Sequence, residues 1–381
     1  MKVISEKEKQ YITVGNKKLE LGFTTGSCAA AAAKGAAQLL LAGKAPESVD
    51  LLTPEGILLK LRPEFCRLTE DGAAVCGIKK HAGDDPDITD GMTVAVKLVP
   101  RGGSKADAGI RLTAGDGVGT VTLPGLEQPV GAPAINKVPR QMIRAAVREA
   151  FEEAGIGREE ISLTAEISVP GGTEIAQKTF NPKLGIVGGI SILGTSGIVK
   201  PMSRKALKDT ISLELDVKAA AGTDPLILCP GNYGTAFLKA EYGIDPEGAV
   251  RYGNYFGYVL DEAAAKGFKN ILIVSHIGKL IKVAGGIMNT HSRAADCRME
   301  IMAAHALLAG ADAAQARKIL SCVTTDAALE LLEEYGMTEA VMRSLAEKIR
   351  EVITARAGAD SRIAAVAFAR DRVLFKTDSI V

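Results

Sequence analysis

The sequence has no surplus of either charge. Among its 381 residues, 46 Lys and Arg stand against 45 Asp and Glu, which gives a formal net charge of +1. A protein that binds nucleic acids in general carries a basic excess, so we do not expect nucleic acid as a partner. An anionic ligand must instead be bound by a local group of cationic side chains.

Long apolar runs are also absent. No stretch reaches the roughly 18 apolar residues that a membrane-spanning helix requires. The first residues, MKVISEKEKQYITVG, are polar and lack the hydrophobic segment of a secretion signal. We therefore expect a cytoplasmic protein that does not contact a membrane.

The six cysteines form no CxxC pair, which excludes a zinc ribbon and a thioredoxin-like redox motif. In a long chain without a secretion signal, such cysteines are expected to be reduced thiols. Cys28 stands at the start of a predicted helix, and it is the one cysteine whose position favours a lowered thiol pKa.

Glycine, in contrast, is abundant, with 41 residues that cluster between apolar runs. The segments PLILCPGNYG and FKNILIVSHIGKLIKVAGG each begin as a buried strand and continue into a polar or glycine-rich turn. This alternation predicts a parallel sheet whose faces are covered by helices. We therefore predict an α+β domain over residues 1–190 and an α/β, Rossmann-like domain over residues 191–381, with a mainly parallel sheet and a helical C-terminal part.

The segment GFTTGS precedes an alanine-rich run that predicts a helix. A helix N-terminus offers free N–H groups and partial positive charge, so Thr24, Thr25 and Ser27 are candidates for binding an anion. A well-capped helix explains the same residues, and both interpretations stay open. No Gly-Lys-Ser/Thr follows, so the segment is not a nucleoside triphosphate loop.

An acidic loop, HAGDDPDITDG, lies between two predicted strands. Its acids do not have the spacing of an EF-hand, and turns stabilised by Asp side chains around Pro86 are favoured over a metal site. No metal is therefore predicted. A general-base role for an acid such as Asp84 or Asp85 remains open.

Two glycine-rich loops are candidates for a small-molecule site. One contains Gly188, Gly189 and Gly194, and the other has Gly231 and Asn232 after a predicted strand. Ligands of open α/β sheets bind at the carboxyl ends of strands. Close packing of strands is the alternative explanation of the first loop.

His276 follows another predicted strand, and it could act as an acid or base or simply stabilise a turn. Lys279 and Lys282 come next in the sequence, and their ammonium groups suit carboxylates.

Six segments together resemble one family. They are GFTTGSCAAAAAKGAA, HAGDDPDITDG, PVGAPAINKVPRQMI, TFNPKLGIVGGISILGTSGIVKPMS, CPGNYG and SHIGKLIKVAGGIMNTHSRAADCRMEI. In order and spacing they resemble the CbiD family, the cobalt-precorrin-5B (C1)-methyltransferases of anaerobic cobalamin (vitamin B12) biosynthesis. The resemblance implies transfer of a methyl group from S-adenosylmethionine to C1 of a cobalt tetrapyrrole, giving cobalt-precorrin-6A.

This resemblance implies a role for each of the candidate residues. The base is expected among His276, Asp84 and Asp85. Backbone contacts to S-adenosylmethionine are expected from Gly188, Gly189, Gly194, Thr195, Gly231 and Asn232. The substrate carboxylates are expected to meet Thr24, Thr25, Ser27, Lys200, Lys279, Lys282 and Arg293.

Two alternatives differ in class from a methyltransferase. A non-catalytic tetrapyrrole carrier would share the carboxylate-binding groups but would not bind S-adenosylmethionine. An enzyme acting on phosphate esters would use the Gly22–Ser27 helix start, although the missing Walker lysine weighs against it. The small-molecule cobalt tetrapyrrole is the expected partner, and a homo-oligomer is left open.

Overall fold

The computed structural model describes residues 2–101, 109–358, 360–370 and 372–378. The chain divides into two compact units, Met1–Arg204 and Lys205–Val381. This division lies beyond the predicted boundary between residues 190 and 191. The reason is that Ile198–Val199 pairs with Gly22–Phe23 as an antiparallel ladder, which keeps the glycine-rich segment in the first unit.

Over its described residues, 2–101 and 109–204, the first unit contains short strands and three α-helices. Its strands are β1 (Lys2–Ile4), β2 (Tyr11–Val14), β3 (Lys17–Glu20), β4 (Gly22–Phe23), β5 (Val49–Leu52), β6 (Ile57–Leu61), β7 (Phe65–Leu68), β8 (Ala74–Lys79), β9 (Thr93–Pro100), β10 (Gly109–Ala114), β11 (Thr120–Val121), β12 (Ser162–Ser168), β13 (Ile186–Val187) and β14 (Ile198–Val199). Its helices are α1 (Thr25–Ala42), α2 (Lys137–Glu153) and α3 (Gly172–Ala176).

The largest sheet of the first unit has the strand order β10-β12-β9-β8-β7. All of its neighbours are antiparallel except β10 and β12. Helix α1 packs on β8 and β9 and against α2. Ala29 through Ala33 are fully buried in this core, because small side chains allow the helix to approach the sheet closely. The predicted α+β class of the N-terminal part is confirmed.

The second unit combines a five-stranded sheet with eight helices within the described residues. The helices are α4 (Arg204–Ala220), α5 (Asn232–Tyr242), α6 (Phe256–Ala265), α7 (Ile277–Ala284), α8 (Arg298–Leu308), α9 (Ala313–Leu320), α10 (Thr325–Glu334) and α11 (Thr338–Ala357). The strands are β15 (Leu226–Cys229), β16 (Val250–Arg251), β17 (Asn270–His276), β18 (Arg362–Ala369) and β19 (Arg372–Lys376).

This sheet has the order β16-β15-β17-β18-β19, and its first four strands are parallel while β19 runs antiparallel. The predicted mainly parallel sheet is therefore confirmed. Side chains alternate between its faces. Helix α5 packs on the face that contains Leu272 and Val274, whereas α7 packs on the face that contains Ile271 and Ile273.

The strand order reverses at β15. The chain leaves β15 for β16 on one side and then returns to β17 on the other. The helices that follow β15 and β17 cover opposite faces. The carboxyl ends of these two strands therefore form the switch point at which open α/β sheets bind ligands, and we call this edge the crevice. No helix within the described residues is long and apolar enough to cross a membrane.

Candidate functional site

The crevice of the second unit begins where β15 ends. Gly231 is extended, with φ 170°, and a Cβ placed on it would meet no heavy atom within 4 Å. Gly234 in the first turn of α5 has no such room, because a Cβ there would lie 2.8 Å from the carbonyl oxygen of Val274. A glycine at that position lets α5 begin against β17, while Gly231 leaves open space at the sheet edge.

The first turn of α5 has no side-chain cap. An uncapped helix N-terminus leaves N–H groups available for a polar or anionic ligand. Asn232 begins the helix, and its Oδ1 accepts a hydrogen bond from Arg251 Nη1 at 3.2 Å. Tyr233 is 84% exposed. The predicted residues Gly231 and Asn232 thus lie at an accessible edge of the sheet.

His276 is the last residue of β17 and the N-cap of α7. Its Nδ1 accepts a hydrogen bond from the Gly278 N–H at 3.1 Å. The Phe368 ring packs edge-on against the imidazole, with the ring centroids 5.6 Å apart. Burial lowers the pKa of His276 below its ordinary value of 6.5, although the charge of Asp326 opposes this shift.

This hydrogen bond decides the chemistry of the other ring nitrogen. Since Nδ1 of His276 accepts, the proton of the neutral ring is assigned to Nε2. Nε2 is therefore a donor without a free lone pair. This arrangement suits a group that holds a ligand acceptor, and it disfavours the general-base role predicted for His276.

The two lysines of α7 bind the protein's own backbone. Lys279 Nζ donates to Gly253 O at 3.0 Å. Lys282 Nζ donates to Thr290 O at 3.2 Å and Ala295 O at 2.9 Å. Burial lowers the pKa of both lysines. Their predicted contact with substrate stays untested, and the observed geometry makes them anchors of two loops.

The remaining predicted cations differ from each other. Lys200 forms an ion pair with Glu55 at the surface of the first unit. Arg293 is exposed, and its guanidinium has no partner within the part of the chain that the structure describes. Of the four predicted substrate-binding cations, Arg293 is thus the one whose side chain is available as it stands.

The start of α1 in the first unit is closed by its own chain. Thr24 Oγ1 accepts a hydrogen bond from the Ser27 N–H at 3.2 Å, and Ser27 Oγ donates to Gly197 O at 2.7 Å. Thr25 Oγ1 accepts from the Leu193 N–H at 3.0 Å. All three hydroxyl residues are buried. The well-capped helix therefore fits better than an anion site, and substrate contact by these hydroxyls stays a prediction that their burial opposes.

The loop of residues 185–197 also packs closely within the first unit. A Cβ on Gly189 would collide with the backbone of Gly117, whereas Gly188 has open space around it. Gly194 has φ +134° and lies against the Thr24 side chain, and Thr195 is exposed. Gly189 and Gly194 thus fit the alternative of close packing. The predicted donor contacts of this loop remain untested.

The acidic loop is held by backbone N–H groups. Asp84 Oδ2 accepts from the Glu20 N–H at 2.6 Å, and Asp85 Oδ1 accepts from the Met202 N–H at 3.0 Å. His81 Nε2 lies 2.9 Å from Glu20 Oε1. These bonds fit the turn interpretation and leave Asp84 and Asp85 poorly suited to act as a base. Among the described residues, no group of three or more His, Cys, Asp or Glu side chains is placed to hold a metal ion.

Cys28 does not have the reactive thiol that its position suggested. The residue is fully buried, and burial raises the pKa of its thiol to about 12. Desolvation outweighs the partial charge of the helix N-terminus here. The expectation of a lowered thiol pKa is wrong.

Sequence reasoning missed the residues that surround His276 and Asn232. Phe368 stacks on Phe237 of α5 with centroids 4.2 Å apart and also contacts His276, so it connects the two sides of the crevice. It lies in an apolar strand where no pattern distinguishes it. Arg251 ends β16, a strand of two residues that is too short to produce a periodic signal.

Comparison with known proteins identifies the family. A sequence model described as CbiD matches residues 12–201, and one described as CbiD, C-terminal domain, matches residues 289–378. A protein of Alkaliphilus metalliredigens named cobalt-precorrin-5B C(1)-methyltransferase is 45% identical over 96% of this chain and 93% of its own length. A Ruminiclostridium cellulolyticum protein of the same name is 44% identical over 98% of this chain and 96% of its own length.

A crystal structure of a cobalamin biosynthesis protein (cbiD) from Archaeoglobus fulgidus is 27% identical. It matches 74% of this chain and 86% of that chain, with a TM-score of 0.40. The family assignment rests on the sequence matches, which span nearly the full length of both chains. The chain belongs to the CbiD family.

Proposed function

We propose that this CbiD protein is an S-adenosylmethionine-dependent methyltransferase that methylates C1 of cobalt-precorrin-5B and releases cobalt-precorrin-6A during anaerobic cobalamin biosynthesis. One observation carries the proposal: the 45% identity, over 96% of the chain, to a protein named for that reaction.

The crevice of the second unit is the proposed site of the methyl donor. Gly231 leaves open space there, and the uncapped start of α5 offers N–H groups suited to the donor's carboxylate. The Nε2–H of His276 suits an acceptor atom of the same ligand. These features fit S-adenosylmethionine better than the closely packed 185–197 loop does.

Bound S-adenosylmethionine would supply a methyl group that is already activated by a sulfonium. The chain's main task is then to align the donor with the substrate carbon, since in-line displacement requires no nucleophile from the protein. Asn232 and Gly231 would fix one end of the donor, and the His276 N–H would orient an acceptor. Arg293 would contact a carboxylate of the tetrapyrrole.

The test is transfer of a labelled methyl group. The purified protein is incubated with cobalt-precorrin-5B and S-adenosylmethionine that carries a trideuteromethyl group. A tetrapyrrole that gains this group at C1, and only when protein and donor are both present, supports the proposal. A tetrapyrrole that binds tightly with unchanged mass identifies the protein as a carrier instead.

A further inference from the structure

A single buried ammonium group organises the loop that joins α7 to α8, residues 285–297. Lys282 is only 1% exposed, although a lysine side chain ends in an ammonium group. Its Nζ donates to Thr290 O and Ala295 O at 3.2 and 2.9 Å and lies 3.5 Å from Ser292 Oγ. One side chain thus closes the loop on itself by binding three of its residues.

The carboxylate near Lys282 belongs to the same loop and is shared with Arg298. Asp296 Oδ1 lies 3.8 Å from Nζ, and both oxygens of Asp296 also accept from the Arg298 guanidinium. A buried charge is costly unless it is paired and hydrogen-bonded. Lys282 Nζ thus has three hydrogen-bond acceptors and one nearby carboxylate, all of them from the 285–297 loop.

Two backbone hydrogen bonds fix the loop to the segment that follows β16. Thr290 N–H donates to Asn254 O, and Gly257 N–H donates to Met288 O, each at 3.0 Å. The segment after β16 lies at the carboxyl edge of the sheet, where the crevice is found. The 285–297 loop is therefore held beside this edge within the second unit.

The loop exposes several polar side chains, Ser292 and Asp296 among them, and two of the exposed residues carry nitrogen donors. Arg293 and His291 are both exposed. His291 Nδ1 accepts from the Arg293 N–H at 3.0 Å, which assigns the proton of the neutral ring to Nε2. The guanidinium of Arg293 has no partner among the residues that the structure describes. A guanidinium and an imidazole N–H exposed on one loop both suit a carboxylate.

We propose that Lys282 is a positioning residue: it fixes the 285–297 loop so that Arg293 and His291 receive a peripheral carboxylate of the tetrapyrrole. Lys282 itself does not touch the substrate. The identity of the substrate rests on the proposed function, whereas the ordering of the loop by Lys282 does not.

The first experiment measures loop order without any substrate. Hydrogen exchange of the full-length protein is compared among wild type, Lys282→Met and Lys266→Met. The control Lys266 pairs with Asp216 and Glu262 in the same unit, away from this loop in sequence. Lys282→Met is expected to accelerate exchange at residues 285–297 alone, and Lys266→Met is expected to leave that loop protected. Unchanged protection in Lys282→Met would overturn the proposal.

The second experiment is a double-mutant cycle on substrate binding. Arg293→Gln is expected to raise the KM for cobalt-precorrin-5B about tenfold, the effect of losing one charge-assisted contact, with little change in kcat. Lys282→Met is expected to raise the same KM without changing the affinity for S-adenosylhomocysteine. Because both act on one contact, the double variant is expected to resemble the worse single variant.

The control for Arg293 is Arg317→Gln, which removes another exposed guanidinium, on α9, and is expected to leave KM unchanged. Additive losses in the double variant, or an unchanged KM in Arg293→Gln, would show that Lys282 does not act through Arg293. Arg293→Gln also keeps the proposal testable if Lys282→Met does not fold.

A failure of the proposed function gives a different result. In that case wild type transfers no methyl group, and binding of uroporphyrin, a stable polycarboxylate porphyrin, replaces KM as the readout. Weaker uroporphyrin binding by Arg293→Gln and Lys282→Met, and unchanged binding by Arg317→Gln, would support the loop assignment. Equal binding by all variants would overturn it.

Discussion

At the scale of single residues, the nitrogen with which His276 caps α7 determines what its other nitrogen can do. Nδ1 accepts from the Gly278 N–H, so the neutral ring offers a donor at Nε2. The residue was predicted from its place after a buried strand. Its tautomer depends on the cap geometry, which the sequence does not encode in any local pattern.

Two substitutions at His276 distinguish the role of its capping hydrogen bond from the role of its imidazole N–H. Asn is a good N-cap residue and Ala is a poor one. We expect His276→Ala to lower the free energy of unfolding by about 1 kcal/mol, and His276→Asn to retain most of it. Both are expected to weaken S-adenosylhomocysteine binding, since neither has the imidazole N–H. Urea denaturation and titration calorimetry check the two effects. Full S-adenosylhomocysteine affinity in His276→Asn would show that the imidazole ring does not contact the donor.

The same histidine predicts a pH dependence of stability. Burial holds the folded-state pKa of His276 below 6.5. Its contribution to stability is therefore complete above pH 6.5 and is lost as the pH falls through the folded-state pKa. We expect the unfolding free energy of wild type to fall relative to that of His276→Asn as the pH decreases from about 7 to about 5. A difference that does not vary with pH would contradict the assigned cap.

Gly188 and Gly189 offer a test of close packing against ligand contact. A Cβ on Gly189 would collide with the backbone of Gly117, whereas Gly188 is open but has φ +85°. We expect Gly188→Ala to cost about 1 kcal/mol from its left-handed conformation and Gly189→Ala about 3 kcal/mol or more from overpacking. Thermal denaturation measures both. Equal stabilities of the two variants would show that the backbone around Gly189 can shift to accommodate a Cβ at little cost in free energy.

At the scale of elements, the start of α1 and the segment of residues 191–197 stabilise each other. Ser27 Oγ donates to Gly197 O in a fully buried position. Ser27→Ala leaves that carbonyl without this partner, so we expect a loss of about 1–3 kcal/mol of unfolding free energy with unchanged S-adenosylhomocysteine affinity. The control is Ser321→Ala, which removes an exposed bond to Lys318 O and is expected to have little effect. A lost affinity in stable Ser27→Ala would restore the predicted ligand role.

Elements with a strong local signal were predicted well. The alanine-rich run predicted α1, and the apolar runs PLILC and NILIVSH predicted β15 and β17. Helix α4 was not predicted, because its few buried apolar residues give only a sparse stripe. Strands β4 and β14 have two residues each. They exist through a pairing between distant segments, which no local pattern can indicate.

At the scale of the whole molecule, the apolar segments of each unit predicted its fold class. Buried strand runs such as LILC and NILIVSH predicted the parallel sheet that the second unit contains. The two compact units divide after Arg204, because residues 191–204 join the first unit through long-range pairing. The predicted site residues are accordingly divided between units, and the crevice of the second unit brings together Gly231, Asn232 and His276.

We propose that the crevice of the second unit binds the methyl donor. Gly231→Val is the sharpest variant, because its extended backbone accepts any residue and a side chain there would fill the open space. Gly248→Val is the matched control: that glycine also has open space around it, but it precedes β16 at the opposite end of the strand.

The deciding measurement is calorimetric titration of the three proteins with S-adenosylhomocysteine. We expect wild type and Gly248→Val to bind near micromolar Kd, about −8 kcal/mol, and Gly231→Val to bind at least tenfold more weakly with its fold intact. Wild-type affinity in Gly231→Val, or no binding by wild type at millimolar ligand, would show that the crevice is not the donor site.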